Sequence, residues 1–210
     1  MAEERFEIVV ISPPETGAEE PERLNDLFRA GLARFYLRKG DVPRSDYAAY
    51  LGRIEPQFLS RIVVGRHFDL IDEFGLGGAH LPTAARLDQD RFDEWCARRE
   101  ATGCRFSTSV HSLHELDTLS GNFEYAFLSP VFGSISKDLA GSAWRADELA
   151  RAAFHPRWTV YALGGIDRST ISRARRVGFR GAGVIGAVWL ADDPVGSFVE
   201  LGRAAAAEVE

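Results

Sequence analysis

Tyr161-Ala-Leu-Gly-Gly-Ile-Asp167 and Gly181-Ala-Gly-Val-Ile-Gly-Ala187 are the stretches that decide how this chain is read. Each is a short apolar run that stops at glycine just before helix-forming sequence. Glycine lets backbone amides converge, and a helix N-terminus adds the positive end of its dipole, so such strand ends can cradle a phosphate dianion. In a barrel of alternating strands and helices, that cradle lies between the seventh and eighth strands. Tight packing of strand against helix explains any one of these glycines. Two such ends in succession, with Asp167 and Asp192 available as caps, favour phosphate.

Upstream of these two runs, six more β-rich segments can be marked, at residues 6–12, 34–38, 61–65, 77–81, 105–109 and 125–129. Stretches with helical patterning separate them. Residues 22–32 place Leu24, Leu27, Phe28 and Leu32 on one stripe at the 3.6-residue spacing of an amphipathic helix. Residues 46–58, 69–74, 91–99, 113–119, 147–154 and 168–177 follow the same logic, and 194–209 supply a closing helix. Strands alternating with helices throughout predict an α/β chain, a single (β/α)8 TIM barrel occupying residues 1–210. A doubly wound sheet is the alternative. The barrel makes a demand, because reactive residues must then cluster after the C-terminal ends of the strands. They do: Arg38 and Lys39 follow the second strand, Arg66 and His67 the third, His80 closes the fourth, His111 follows the fifth and Ser129 ends the sixth.

At 210 residues and 45% hydrophobic content the chain suits one domain with a sizeable core. A formal net charge of −6 argues against nucleic acid as a partner. The basic trio Arg173, Arg175 and Arg176 reads as the solvated face of an outer helix. Cys96 and Cys104 lack the spacing of a zinc site or a disulfide framework. The acidic start, Met-Ala-Glu-Glu-Arg, is unlike a signal peptide, and no apolar stretch reaches the ~20 residues needed to span a bilayer. A cytoplasmic protein without membrane partners is expected, with the oligomeric state left open, a homo-oligomer included.

Ser112-x-x-Glu115 is a capping box that begins the helix after the fifth strand. His111 stands just outside that cap, at the barrel mouth, where an imidazole can take and return protons near neutral pH. The long connection 130–143 reads as a lid whose Ser134 and Ser136 can donate to an anion and whose Lys137 can bring positive charge over it. Arg38 at a strand end needs a counter-charge, and an anionic substrate is the favoured one.

Five segments then fall into a recognisable order: Phe35-Tyr-Leu-Arg-Lys39, Ser109-Val-His-Ser-Leu113, Ser129-Pro-Val-Phe-Gly-Ser-Ile-Ser-Lys137, Ala162-Leu-Gly-Gly-Ile166 and Gly183-Val-Ile-Gly-Ala187. Together they resemble successive motifs of the thiamine phosphate synthase superfamily, which includes the TenI-type thiazole tautomerases. The resemblance implies a barrel that binds a thiazole phosphate, its phosphate held near Gly164, Gly165, Ile185 and Gly186. In the synthase branch, the thiazole nitrogen attacks the methylene of a hydroxymethylpyrimidine diphosphate and expels pyrophosphate, which Arg38 and Lys137 would hold. In the tautomerase branch, a histidine matching His111 moves the proton that aromatises a thiazole carboxylate phosphate. Tyr36, Lys39, Arg66, His67, His80, Ser109, Ser129, Ser134 and Ser136 complete the implied substrate site.

Departures from the synthase pattern weigh in this reading. Tyr36 stands where that branch carries glutamine, Arg66 and His67 where it carries an Asn-Asp pair, and Leu81-Pro-Thr-Ala84 offers no acid. Those acids hold the magnesium that offsets the diphosphate charge. The expectation is therefore a metal-free, cofactor-free TenI-type tautomerase with His111, Arg38 and Lys137 as its catalytic groups. A synthase with magnesium and a non-catalytic binder of phosphorylated ligands are the alternatives.

Overall fold

The computed structural model describes residues 6–15, 17–83, 86, 97, 103–121, 123–133 and 144–207. Eight strands close into one parallel barrel in chain order: β1 (Glu7–Ile11), β2 (Arg34–Leu37), β3 (Ile62–Val64), β4 (Gly78–Leu81), β5 (Arg105–Val110), β6 (Tyr125–Leu128), β7 (Thr159–Leu163) and β8 (Gly181–Val184). Closure comes from β8 pairing with β1, Gly183 opposite Val9 and Val184 opposite Val10. The single (β/α)8 barrel expected from the sequence is the fold.

Strand alternation sorts the apolar residues into two cores. Val9, Ile11, Tyr36, Val63, Tyr125, Phe127 and Tyr161 point inward and fill the lumen. Their neighbours in sequence, among them Ile8, Val10, Phe35, Leu37, Ala126 and Leu128, point outward beneath the helices. Strand β8 is nearly bare on the inside. A Cβ on Gly183 would lie 3.0 Å from Leu163, 3.2 Å from Phe127 and 3.3 Å from Ile11, so side chains of β7, β6 and β1 take the room it leaves.

Around the barrel run α1 (Glu20–Arg29), α2 (Arg44–Leu51), α3 (Leu70–Phe74), α4 (Leu113–Thr118), α5 (Ala146–Ala153), α6 (Ile171–Val177), a short α7 (Gly186–Trp189) and α8 (Pro194–Ala206). Helix α8 begins where Asp193 accepts from the Gly196 amide at 2.9 Å and Pro194 needs no partner for a missing N–H. Some boundaries differ from expectation. The helix predicted over 46–58 ends at Leu51 and a 3₁₀ turn, Pro56–Arg61, follows. Pro56 removes an amide and disfavours helical backbone at Glu55. The helix predicted from 168 starts at Ile171, because Asp167 first folds back on the Ser169 and Thr170 amides at 2.8 and 3.1 Å. The eighth strand stops at Val184 so that α7 can begin at Gly186. The helix predicted over 91–99 lies outside the described residues. Among the described residues, no helix is long and apolar enough to cross a membrane.

Candidate active site at the barrel mouth

The C-terminal rim gathers Arg38, Gly65, His80, Ser109 and Leu163 around a pocket floored by Ile11, Tyr36 and Phe127. The aromatic floor packs edge to face, with Tyr36 and Phe127 centroids 5.3 Å apart and Tyr36 and His80 5.6 Å apart. A larger cavity of about 770 Å³ opens at the opposite, N-terminal end of the barrel. Barrel chemistry belongs to strand C-termini, so the rim is the candidate site despite its smaller space.

Arg38 follows β2, and its amide donates to the Ser12 hydroxyl at 2.9 Å, tying the ends of β1 and β2 together. Its exposed guanidinium makes no ion pair or hydrogen bond with the described residues. Lys39 behaves differently. It was expected at the substrate, but strand parity turns it to the outer side, under α1. There its Nζ donates to both oxygens of Glu20 at 2.7 and 2.6 Å and to the Pro13 and Glu15 carbonyls at 2.9 and 3.2 Å. Both side chains are 3% exposed. Burial raises the Glu20 carboxyl and lowers the Lys39 ammonium, each opposed by its partner. Lys39 is thus a structural residue, a correction to the sequence expectation.

Arg66 and His67 follow β3 but are drawn to the loop before α2. Arg66 bonds the Asp41 carboxylate at 2.5 Å and the Gly40 carbonyl at 3.3 Å. His67 adopts left-handed backbone, φ 50°, with Nε2 bonded to the Val42 carbonyl at 3.0 Å and its ring edge-on to Tyr47 at 4.9 Å. Both were expected to touch substrate, yet these contacts make them braces of the rim.

His80 closes β4 and is buried. Its Nδ1 is 3.0 Å from the Ser107 hydroxyl, and its Nε2 is 3.1 Å from the Ser109 hydroxyl. Tyr36 reaches the same Ser107 hydroxyl at 3.1 Å. Burial, with a smaller contribution from the nearby Arg38 charge, pushes the His80 pKa down to about 3, so the ring is neutral. Ser107 escaped the sequence reading. Its signal was there: Ser107 and Ser109 alternate on β5 and so share the inward face.

His111 sits exposed at the rim. Its Nδ1 lies 2.8 Å from the Ser129 carbonyl, which can only accept, so Nδ1 carries a proton and Nε2 is the basic nitrogen of the neutral ring. The Glu115 amide donates to Ser112 at 3.0 Å, the N-cap expected from the sequence, but the Glu115 carboxylate reaches one residue past the cap and accepts from the His111 amide at 3.3 Å instead of closing the box on Ser112.

Gly164 and Gly165 end β7 with φ of 91° and 64°. The loop after β6 lies directly on them. A Cβ on Gly164 would meet Pro130 at 2.8 Å, and one on Gly165 would meet the Gly133 carbonyl at 2.6 Å. Packing thus accounts for both glycines; Ile185 and Gly186, where α7 begins, follow the end of the neighbouring strand β8. Lys137, Ser134 and Ser136 lie outside the described residues.

A magnesium site would need clustered oxygen ligands. Among the described residues, no group of three or more His, Cys, Asp or Glu side chains is arranged to hold a metal. The acids nearest the β2 and β3 ends are committed, Asp41 to Arg66 and Asp69 to Arg44. The described donor set does not fit magnesium.

A closed barrel with its polar and charged groups gathered at the strand C-termini is the architecture of a TIM-barrel enzyme. The chain belongs to the thiamine monophosphate synthase family, whose model matches residues 8–188. It is similar to the thiamine-phosphate synthase of Limosilactobacillus fermentum, 38% identical over 76 residues, 36% of each chain. It is also similar to that of Thermobifida fusca, 32% identical over 98 residues, 46% of this chain and 44% of the relative. The matched stretches thus span less than half the length of these curated relatives. Among solved structures, the thiamine phosphate pyrophosphorylase of Bacteroides thetaiotaomicron is 26% identical with a TM-score of 0.73, covering 95% of both chains. That of Pyrococcus furiosus, 18% identical with a TM-score of 0.74 over 95% of both chains, shares the fold. The two curated relatives carry the synthase name, and so back the synthase alternative better than the tautomerase expected first.

Proposed function

We propose that this chain is a transferase of the thiamine-phosphate synthase type, joining a thiazole phosphate to a hydroxymethylpyrimidine diphosphate. The observation that carries this reading is the Arg38 guanidinium, without an ion pair or hydrogen bond among the described residues, at a rim that also bears the positive-φ glycine turn ending β7. Two anion-receiving positions at one mouth suit two anionic substrates. The turn at Gly165, with Ile185 and Gly186, takes the thiazole phosphate, and Arg38 takes the diphosphate. Attack of the thiazole nitrogen forms the new C–N bond as the C–O bond breaks, and the electron pair leaves with pyrophosphate. Arg38 stabilises the charge developing on that leaving group. The names of the relatives support the same chemistry.

A second reading is the TenI-type tautomerase. His111 favours it: a tautomer fixed by Ser129 leaves Nε2 as a base at the mouth. The described donor set, unsuited to magnesium, favours it too. One experiment separates them. The protein is given both synthase substrates with and without magnesium, and separately the non-aromatic thiazole tautomer. Thiamine phosphate formation, lost in Arg38→Ala, supports the transferase. Accelerated aromatisation alone, lost in His111→Ala, replaces it with the tautomerase. Saturable thiazole phosphate binding without either turnover makes the chain a binder.

A further inference from the structure

Tyr36, Ser107, His80 and Ser109 form an unbroken hydrogen-bonded file at 3.1, 3.0 and 3.1 Å. It spans the lumen. Tyr36 and Ser107 border the cavity at the N-terminal end, while His80 and Ser109 border the mouth. Each member can both donate and accept, and a neutral imidazole carries its proton on either nitrogen. The file therefore has two complete arrangements. In one, Tyr36 donates to Ser107, Ser107 to Nδ1 and Nε2–H to Ser109, whose own proton then points into the mouth. In the other every bond reverses: Ser109 donates to Nε2, Nδ1–H to Ser107 and Ser107 to Tyr36. The Tyr36 proton then turns into the N-terminal cavity, and Ser109 shows the mouth a bare acceptor. No bond is lost inside the file in either arrangement, and no charge is created.

We propose that His80 is a positioning residue whose tautomer sets whether the Ser109 hydroxyl meets a bound heterocycle as donor or as acceptor. The mouth can thus accommodate a ring that presents a bare nitrogen or one that presents an N–H. Among the described residues, both imidazole nitrogens meet hydroxyls and neither meets a carboxylate that would fix one form. The ligand arm of the test below rests on the proposed thiazole phosphate; the free-protein arm does not.

Nitrogen-15 NMR of histidine-labelled protein tests the idea. Free protein should show both His80 nitrogens at shifts between the protonated and bare values, the mark of an exchanging tautomer. Tyr36→Phe takes away the acceptor that the Ser107 proton uses only when Nδ1 is the donor, and should move the population about fivefold or more toward the Nε2–H form. Adding thiazole phosphate should shift the wild-type average. A single fixed tautomer in free wild type, a charged ring at neutral pH, or an average untouched by Tyr36→Phe overturns the proposal. Averaging in free protein with no response to thiazole phosphate would instead uphold the switch and count against the proposed ligand.

Discussion

Replacing His80 by glutamine and following stability from about pH 7 to about pH 3 isolates the proton that this ring refuses. Its pKa falls from 6.5 to about 3, and burial is the main cause. The unfolded chain would therefore bind one proton that the native state does not, throughout that window. Stability from this source is complete above pH 6.5 and drains away as pH falls toward 3. At about 1.4 kcal/mol for each pH unit, the whole gap amounts to roughly 5 kcal/mol, a large share of a typical domain's stability. Urea unfolding followed by tryptophan fluorescence, repeated at intervals across the window, measures it for wild type and His80→Gln. Both proteins carry the same acids, so the difference between their pH slopes belongs to residue 80. Wild type should be steeper by about 1.4 kcal/mol per pH unit. Equal slopes would mean that native His80 takes up the proton, and the sealed file of hydroxyls would have to be abandoned.

Lys39→Met leaves Glu20 buried without its cation, and should cost about 3–5 kcal/mol, a melting point lower by roughly 6–20 °C in calorimetry. Ligand affinity at the mouth should survive; lost affinity with an unchanged melting point would return Lys39 to the substrate. Arg38→Ala breaks no side-chain hydrogen bond or ion pair among the described residues, so stability should stay within about 0.5 kcal/mol. Affinity for the pyrimidine diphosphate should drop about tenfold or more in titration calorimetry. In Gly165→Ala a methyl must enter a backbone with φ of 64° against the Gly133 carbonyl 2.6 Å away. Stability should fall by about 1–3 kcal/mol, and thiazole phosphate binding should weaken; undiminished binding would move the phosphate elsewhere. Tyr125→Phe removes a buried hydroxyl that makes no close hydrogen bond among the described residues and has the Arg34 guanidinium beside it. Its midpoint in urea should change by no more than about 1 kcal/mol of stability, because the ring and its cation contact remain.

The barrel was legible because its strands are short β-branched or aromatic runs that recur between helical stripes, and that pattern is local. So was the Ser112–Glu115 cap, whose partners lie three residues apart. Arg38 and Lys39 show what was missed. Adjacent in sequence, they read as a pair of cations at one rim, yet a strand points neighbours to opposite faces. Counting parity along β2 separates them. Nothing local names Glu20, 19 residues upstream, as the partner of Lys39. Arg66 and His67 were misplaced for a similar reason, since their partners Asp41 and Val42 lie 25 residues earlier in a loop of irregular backbone. The break at Pro56 was in plain view and outvoted by the apolar stripe on either side.

The bare inner face of β8 limits how this barrel can be re-engineered. Any side chain added at Gly183 strikes the residues of three other strands at 3.0–3.3 Å, and trimming those residues would undercut the backbone on which the β7–β8 turns rest. Latitude lies on the opposite wall, at Val63, which borders the open space of the N-terminal end. A designer deepening the lumen beneath the mouth should carve there first, sparing Ser107 and leaving the glycine-built side as the fixed jaw.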